Sequence, residues 1–278
     1  MNVQPFKSPT LPPATTTNAV IAGRASRWLI DPAATNPAER HRLLSWANEE
    51  RSRHGLEGIA LTHHHRDHVG AAAWLAGEMG LPVAAFGTTA GLSRDPALVV
   101  SRVLTEGDAL CDDWMVLHTP GHASDHICFV QESSGEAVVG DMVAAVGTII
   151  IDPPDGHMGT YLAELARLQR LSLNVAVPAH GAPIGNPSAH FQAYIAHRLA
   201  REARVSAALT DTPQSVAVIA ARSYPELDRH LLPLAERACL AHLEHLFEHE
   251  EARWVAGPDL FTGERPWLGP GHLWRNAL

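Results

Sequence analysis

The segment Thr62-His63-His64-His65-Arg66-Asp67-His68 constrains this chain more than any other part of the sequence. It follows a short apolar run that predicts a strand, so its first residues leave a strand end. Because side chains two residues apart on a strand point to the same side, His63 and His65 are expected to face one cleft. Asp67 and His68 lie around the turn into the next helix and can reach a second position. Imidazole nitrogens and carboxylate oxygens are zinc ligands, so the segment predicts a metal site.

The composition is that of a folded protein in which histidine has a special use. The chain has 278 residues, of which 46% are apolar and 18 are histidines. Its net charge of −9 disfavours a broad binding surface for nucleic acids or anionic membranes. The first twenty residues lack a signal-peptide pattern, no apolar run is long enough to span a bilayer, and the three cysteines are widely spaced. The sequence therefore predicts a cytoplasmic protein that binds neither DNA nor a membrane.

Short apolar runs bounded by glycine, proline or acidic residues alternate with helical patterns through most of the chain. Val20-Ile21-Ala22 and the run from Arg27 to Ile30 predict two strands. Asn36-Pro37 predicts the cap and first residue of a helix. This mixture of strands and intervening helices predicts a sandwich of the α/β or α+β class.

The pattern becomes mostly helical in the last third of the chain, where three helices are predicted. Thr212-Pro213 predicts the cap and first residue of the second helix, and Trp254-Val255 and Leu260-Phe261 are candidate strands near the end. Three helices followed by a small hairpin suit a winged-helix module. We therefore predict a catalytic domain over residues 1–190 and a winged-helix-like domain over residues 191–278.

Three further motifs follow the histidine cluster, and each carries a potential metal ligand: Thr119-Pro120-Gly121-His122, Gly140-Asp141 and Pro178-Ala179-His180-Gly181. Together with His63-x-His65-x-Asp67-His68, they resemble the metallo-β-lactamase fold superfamily in residue type, order and context. The resemblance implies an αββα sandwich. It also implies a ligand set in which the first metal is held by His63, His65 and His122, the second by Asp67, His68 and His180, and both by a bridging Asp141.

Other segments resemble the branch of β-lactamase-like protein 2 hydrolases, which lies close to glyoxalase II and carries a C-terminal winged-helix domain. These segments are Asp152-Pro153-Pro154-Asp155-Gly156, Tyr161 to Leu165 and His197 to Glu202. His157 departs from the branch, where relatives often carry an acidic residue, and it is expected either to line the substrate mouth, as a substrate-binding residue, or to be an exposed loop residue. His118 and Asp125 lie close to the ligands in sequence and are expected to hydrogen-bond to their free ring nitrogens.

The ligand set predicts the chemistry of a dinuclear hydrolase. Two cations about 3.5 to 4 Å apart can share a hydroxide and lower its pKa to about neutrality. Asp67 would bind one metal and orient the hydroxide, so no serine or cysteine nucleophile is needed. We therefore predict a hydrolase of small esters, thioesters or lactones that uses two Zn²⁺ ions. Mn²⁺ and Fe²⁺ fit the same donors.

Two other reactions are compatible with the same scaffold. One is metal-dependent cleavage of single-stranded RNA, because the branch includes a mitochondrial endoribonuclease. The other is an iron-dependent oxygenase, since persulfide dioxygenase relatives keep the same histidine motif. Antibiotic hydrolysis is disfavoured because zinc β-lactamases lack the bridging aspartate found here as Asp141.

The third helix of the predicted winged-helix module is rich in glutamate, which repels phosphate groups. We therefore interpret the module as a packing element, a homodimer contact or a wall of the substrate cleft, and not as a DNA-binding domain. His242, His245 and His249 share one face of this helix and are interpreted as solvated.

Overall fold

The computed structural model describes residues 1–256 and 273–276, which divide into two units, each with its own core. The first unit comprises Met1–Pro120, Asp125–Ile149 and Gln169–His190. The second comprises Gly121–Ser124, Ile150–Leu168 and the described residues from Phe191 onward. Two segments, Gly121–Ser124 and Ile150–Leu168, thus interrupt the first unit in sequence but belong to the second unit.

Six strands form the first sheet of the first unit, in the order β1-β2-β3-β4-β5-β6. They are β1 (Asn2–Lys7), β2 (Thr16–Ala22), β3 (Trp28–Ile30), β4 (Gly58–Ala60), β5 (Val83–Phe86) and β6 (Arg102–Leu104). The first two pairings are antiparallel and the other three are parallel. Strand β1 lies in the Pro- and Thr-rich first segment, whose composition gave no strand signal.

Five strands form the second sheet, in the order β11-β10-β9-β8-β7. They are β7 (Ala109–Cys111), β8 (Trp114–His118), β9 (Ile127–Gln131), β10 (Glu136–Gly140) and β11 (Val175–Pro178). Only the β10–β11 pairing is parallel among these strands. Buried side chains of both sheets, among them Ile30 and Phe129, form one apolar core, so the sheets pack face to face.

Helices connect the strands of the first sheet, and most of them pack on its other face. They are α1 (Pro37–His54), α2 (Arg66–Val69), α3 (Ala72–Met79) and α4 (Thr89–Leu92). Leu43 and Leu75 belong to the core cluster on that face, together with Ile59 of the sheet. Asn36 caps α1 as predicted, since its side chain accepts a 2.9 Å hydrogen bond from the backbone N of Glu39. The prediction of a layered α/β sandwich is confirmed.

The second unit is mostly helical. Its elements are α5 (Met158–Gln169), α6 (Pro187–Ala208), β12 (Gln214–Ser215), α7 (Val216–Ser223), α8 (Leu232–Glu248), β13 (Ala252–Ala256) and β14 (Leu273–Asn276). Helix α6 starts in the first unit and continues into the second. The three strands pair in the order β12-β14-β13, and the core contains Ile219, Leu243 and Trp274.

The start predicted for the second helix of this region was wrong. Gln214 and Ser215 pair with β14 as a strand, so the helix begins only at Val216. Ser215, not Thr212, is the cap, and its side chain accepts from the backbone N of Val218. Trp254-Val255 lies in strand β13 as predicted, whereas the candidate strand Leu260-Phe261 falls outside the described residues.

The interpretation of the α8 histidines as a solvated face holds for His249, which is exposed, but was wrong for His242 and His245. His242 is fully buried. Its Nδ1 lies 3.2 Å from Oε2 of Glu202 on α6, and Nδ1 of His245 lies 2.7 Å from the same oxygen. Burial opposes the charge on Glu202, but the two histidines outweigh it and lower the pKa of Glu202 to about 2. The hydrogen bond to Glu202 raises the pKa of His245. One carboxylate thus joins α6 to α8.

Glu202→Ala is expected to lower the free energy of unfolding by about 2 kcal/mol at pH 6, because it leaves the buried Nδ1–H of His242 without its hydrogen-bond acceptor. Because the pKa of His245 is raised in the folded protein, its ion pair with Glu202 stabilises the fold fully below the ordinary histidine pKa. This stabilisation is lost as pH rises through the raised pKa. The loss should therefore be smaller at pH 9. Urea unfolding at both pH values, with the exposed Asp211→Ala as control, measures it.

Across residues 1–256 and 273–276, none of the helices combines the length and apolar character needed to cross a membrane.

Candidate metal centre

The candidate site lies where several strands of the first unit end. Strands β3 and β4 are parallel neighbours with Ile30 opposite Ala60, so their carboxyl ends meet at one edge of the sheet. The chain leaves β3 at Asp31 and leaves β4 into the histidine segment. In the second sheet, the parallel strands β10 and β11 lead to Asp141 and His180. The first unit therefore gathers three of the four segments that carry the sequence motifs.

Asp31 organises the histidine segment, although sequence reasoning treated it only as the end of a strand. Its Oδ1 accepts from the backbone N of Thr62 at 2.8 Å. Its Oδ2 accepts from Oγ1 of Thr62 at 2.7 Å and from Nδ1 of His68 at 2.8 Å. The backbone φ of Asp31 is 53°, a left-handed conformation that aspartate and asparagine adopt more readily than most residues. Its role follows from the pairing of β3 with β4, which places Asp31 beside the start of the histidine segment.

Two of the three predicted ligands of the second metal lie against Asp141, and the third lies against His180. Oδ1 of Asp141 lies 3.6 Å from Nε2 of His68 and 3.4 Å from Nε2 of His180. Oδ2 of Asp67 lies 3.5 Å from Nε2 of His180. The ligand atoms of Asp67, His68 and His180 all fall within 4.8 Å of one another. One carboxylate oxygen therefore faces both histidines of the predicted second metal.

His63 and His65 also face one another, as the alternation of the strand end predicts. Nε2 of His63 lies 3.0 Å from Nδ1 of His65. Ligand atoms of His63, His68 and Asp141 form a second group within 4.8 Å. Burial, aided by His64 and His68, lowers the pKa of His65 and favours the neutral ring that binds a metal.

His122 belongs to the turn Gly121–Ser124, which is part of the second unit. Its Nδ1 lies 2.8 Å from the carbonyl oxygen of Ile150. Gly121 has a φ of 130°, and a Cβ there would lie 2.4 Å from the backbone N of Tyr161, so only glycine fits. The role of His122 as a ligand stays a prediction.

His180 is held by the second strand of the first sheet. Its Nδ1 lies 2.9 Å from the carbonyl oxygen of Thr16. The side-chain amide of Asn18 donates to the carbonyls of Pro178 at 2.9 Å and Gly181 at 2.7 Å. A segment near the start of the chain thus fixes the loop that carries the last predicted ligand.

The donor set fits a cation. Three rings direct Nδ1 at an acceptor of the chain: His68 at Asp31, His122 at Ile150 and His180 at Thr16. This arrangement places the proton on Nδ1 and leaves Nε2 as a lone-pair donor, as in most protein metal sites. Nε2 of His68 is fully buried and has no hydrogen-bond partner among the described residues. A buried nitrogen of this kind calls for a partner such as a metal ion.

His126 is a further residue of the site that sequence reasoning missed. It is fully buried, and burial lowers its pKa to about 4, so the ring is neutral. Its Nε2 accepts from the backbone N of Asp141 at 3.1 Å, and its Nδ1 lies 2.8 Å from Oγ1 of Thr119. The ring therefore fixes the backbone that presents Asp141. A histidine four residues after His122, directly before an apolar strand, was the available signal.

Asp125 and His118 were predicted to support the ligands. Asp125 is buried, and its carboxylate contacts Nδ1 of His64 at 2.8 Å and Oγ1 of Thr89 at 2.7 Å. It therefore anchors His64 within the histidine segment. The ring of His118 stacks on Phe86 with centroids 4.1 Å apart. Hydrogen bonds from either residue to a predicted ligand stay predictions.

His157, predicted to line the substrate mouth, makes hydrogen bonds within the second unit. Its Nδ1 lies 2.8 Å from Oγ1 of Thr160, and its Nε2 lies 2.8 Å from Oε1 of Glu248. A glutamate of helix α8 therefore faces the histidine that replaces an acidic residue of similar proteins. Contact with substrate stays a prediction.

Metal binding is expected to release protons and to strengthen as pH rises from 6 to 8. Burial opposes a charge on His68, but the carboxylates of Asp31 and Asp141 outweigh it and hold its pKa well above the usual value. Asp141 likewise outweighs burial at His180 and raises its pKa. Both rings thus hold their protons to a higher pH than an ordinary histidine does, and a cation must displace those protons. Calorimetric titrations in buffers of different ionisation enthalpy should give about one or two protons per bound ion at pH 7. A pH-independent affinity would contradict this assignment.

Comparison with known proteins identifies relatives of the whole chain and of its first part. The family model of the Metallo-beta-lactamase superfamily matches residues 12–180. The lactamase-like protein vrtG of Penicillium aethiopicum is 30% identical over 262 residues, which cover 91% of this chain and 82% of vrtG. Atrochrysone carboxyl ACP thioesterase nsrC of Aspergillus novofumigatus is 30% identical over 155 residues, or 55% of this chain and 46% of nsrC. This chain thus spans less than half of the thioesterase.

Solved structures share the fold. The metallo-beta-lactamase family protein TTHA1429 of Thermus thermophilus superposes with a TM-score of 0.78 at 23% identity, covering 99% of this chain and 98% of that chain. TTHA1623, solved in a di-iron-bound form, has a TM-score of 0.53 at 27% identity and covers 64% of this chain and 94% of that chain. The first similarity shows the fold over nearly the whole sequence.

Proposed function

This chain belongs to the metallo-β-lactamase superfamily and is a metal-dependent hydrolase, and on that premise we propose that it cleaves a small thioester, ester or lactone. We propose two Zn²⁺ ions as the cofactors. One would be held by His63, His65 and His122, the other by Asp67, His68 and His180, and Asp141 would bind both. The single observation that carries this proposal is that the ligand atoms of Asp141, of His63 from the first set and of His68 from the second set all lie within 4.8 Å of one another.

The place of His122 in this set is supported by connectivity. Thr119 and Asp125 belong to the first unit and flank the short turn that carries His122. The backbone N of Thr119 donates to the carbonyl of His126 at 2.9 Å, which closes that turn at its base. His126 also supports Asp141, so the base of the turn shares a residue with the proposed bridging ligand.

Asp67 has the central role among the residues of the chain. When bound, the cations supply Lewis acidity, which lowers the pKa of water and polarises an acyl carbonyl. The Asp67 carboxylate is partly exposed and lies at the edge of the donor cluster, so it is placed to accept a hydrogen bond from the attacking water and orient it. Asp31 and His126 hold His68 and Asp141 in fixed positions.

Cysteine nucleophiles are poorly suited to this reaction. All three cysteines of the chain are buried. Burial raises the pKa of Cys111 and of Cys239 to about 12, so their thiols carry no useful fraction of thiolate at neutral pH. Water activated beside Asp67 is therefore the better nucleophile.

The substrate class is supported by charge and by one relative. A net charge of −9 disfavours a polyanion such as RNA. The relative nsrC is named as a thioesterase of a carrier-protein-bound acyl group. Thioesters expose an electrophilic carbonyl and release a good leaving group, so activated water cleaves them without a covalent intermediate.

We also propose that the second unit is a winged-helix module of the kind found beside glyoxalase II-like domains. Its element order after α6 is β12-α7-α8-β13-β14, and the central strand of its sheet is the last one. The position of a groove-reading helix is taken by α8, which carries Glu236, Glu244 and Glu248. These charges oppose DNA binding and suit a packing or dimer-forming role.

Purified protein loaded with zinc tests the proposed function. We expect release of free thiol from acyl-thioester substrates, loss of that activity with a chelator, and recovery on addition of Zn²⁺. Labelled single-stranded RNA and an oxygen-uptake assay with a glutathione persulfide test the two competing reactions. Elemental analysis of protein as purified identifies zinc, manganese or iron. Cleavage of RNA, or oxygen uptake, without hydrolysis of any acyl substrate would reject the proposal.

A further inference from the structure

We propose that Arg237 of helix α8 is a positioning residue for His122 and acts through the loop Ile150–His157, here termed the 150–157 loop. This inference rests on the proposed function, in which His122 is a metal ligand. It assigns to the C-terminal helix a role in metal affinity, which neither the metal-binding motifs nor the fold of the first unit supplies.

The first link joins the 150–157 loop to the turn that carries His122. The carbonyl oxygen of Ile150 lies 2.8 Å from Nδ1 of His122. The carboxylate of Asp155 accepts from the backbone N of Ser124 at 3.1 Å. The backbone N of His157 donates to the carbonyl of Gly121 at 2.7 Å. One loop therefore contacts the beginning, the middle and the end of a four-residue turn.

The contact with Ile150 determines how the His122 ring can be used. A carbonyl accepts only from a protonated Nδ1, so this contact fixes the tautomer in which Nε2 carries the lone pair. It also fixes the rotation of the ring. If the carbonyl of Ile150 shifts, His122 loses both constraints and binds a cation less tightly.

The second link joins the same loop to helix α8. Nε of Arg237 hydrogen-bonds to Oδ1 of Asp152, and its Nη2 donates to the carbonyl of Pro153 at 3.0 Å. At the other end of the loop, Oε1 of Glu248 lies 2.8 Å from Nε2 of His157. Two side chains of one helix thus hold both ends of the loop. The planar guanidinium makes these contacts from two separate nitrogens held in a fixed geometry, whereas a lysine has a single nitrogen for both acceptors.

Helix α8 is a firm support for these contacts. Leu240, Leu243 and Leu246 are buried in the core of the second unit. Glu202 of helix α6 contacts His242 and His245 on the same helix. A displacement of the loop therefore comes from loss of the Arg237 contacts and not from movement of the helix beneath them.

The ion pair of Arg237 and Asp152 is partly exposed, so its direct contribution to stability is small. The expected effect is on metal affinity, because residues that orient a ligand typically change affinity by about 10- to 100-fold. Arg237 acts one step further away, so we expect about a tenfold loss for one of the two bound zinc ions and no change for the other.

Zinc titration of metal-free protein against a chromophoric chelator tests this inference. The variants are Arg237→Ala and Arg237→Lys, with Asp152→Asn as a second disruption should the first fold poorly. Arg204→Ala is the matched control, because Arg204 forms a partly exposed ion pair with Glu226 elsewhere in the same unit. Weakening of one zinc equivalent by Arg237→Ala and Asp152→Asn, little rescue by lysine, and no effect in the control would support the inference. Equal affinities in all variants would overturn it.

His122→Ala, alone and combined with Arg237→Ala, separates this inference from the proposed function. If Arg237 acts through His122, the double variant binds zinc no more weakly than His122→Ala alone. Additive losses would overturn the positioning role. If His122→Ala retains both zinc ions at full affinity, the ligand assignment fails instead.

Discussion

Asp67→Asn is expected to reduce hydrolysis about 10³-fold or more at pH 7.5, with protein stability largely unchanged. Asparagine keeps the size of the side chain but lacks the negative charge that binds a cation and orients the attacking water. Asp67 is one of the partly exposed members of the donor cluster, so the substitution leaves no buried charge unpaired. The effect should fall mainly on kcat, because the interaction belongs to the reacting water and not to the bound substrate.

Steady-state kinetics at saturating Zn²⁺ measure this effect, together with the zinc content of each preparation. Glu78→Gln is the matched control, since it removes one exposed carboxylate of the same unit. Activity of Asp67→Asn within tenfold of the unchanged protein would exclude Asp67 from the reaction. Loss of activity with full zinc content would separate its role in orienting water from its role as a ligand.

Asp31→Ala is expected to lower the free energy of unfolding by about 3 to 5 kcal/mol, the range for breaking a buried charge pair. Its carboxylate satisfies the backbone N and hydroxyl of Thr62 and the Nδ1 of His68. Alanine leaves those donors unsatisfied and also disfavours the positive φ of this position. Zinc affinity should fall by about 10- to 100-fold, because His68 loses the partner that orients its ring.

Asp31→Asn separates the two effects. Asparagine tolerates the left-handed backbone and can still accept from Thr62, so we expect a smaller loss of stability than with alanine. The loss of charge should still weaken zinc binding. Chemical unfolding of metal-free protein and zinc titration measure the two quantities independently. Wild-type zinc affinity in both variants would show that Asp31 does not support the site.

The candidate site could be predicted from the sequence because the residues that can bind a metal occur in short motifs that follow one another in a defined order. His63, His65, Asp67 and His68 come from one segment, and a strand end with alternating side chains places them locally. The helix cap at Asn36 could also be predicted, because a cap depends only on a few neighbouring residues.

What could not be predicted depends on contacts between distant segments. The role of Asp31 requires knowledge that β3 lies beside β4, and that of His126 requires the position of Asp141. Strand β1 was missed because its burial is set by pairing with β2 and not by a periodic pattern of its own. His242 and His245 were misinterpreted because their shared partner, Glu202, lies on another helix.

The hydrogen bonds from Asn18 to the loop around His180 determine when the candidate site can form during protein synthesis. The hydrogen bond from Asn18 to Pro178 joins residues 160 positions apart. A growing chain emerges from the ribosome with the histidine segment long before its last donor, so any cation captured early meets an incomplete set of ligands. The closing of β2 against the end of β11 is therefore the event that would complete the proposed second set of donors, and stable retention of metal would report a finished fold.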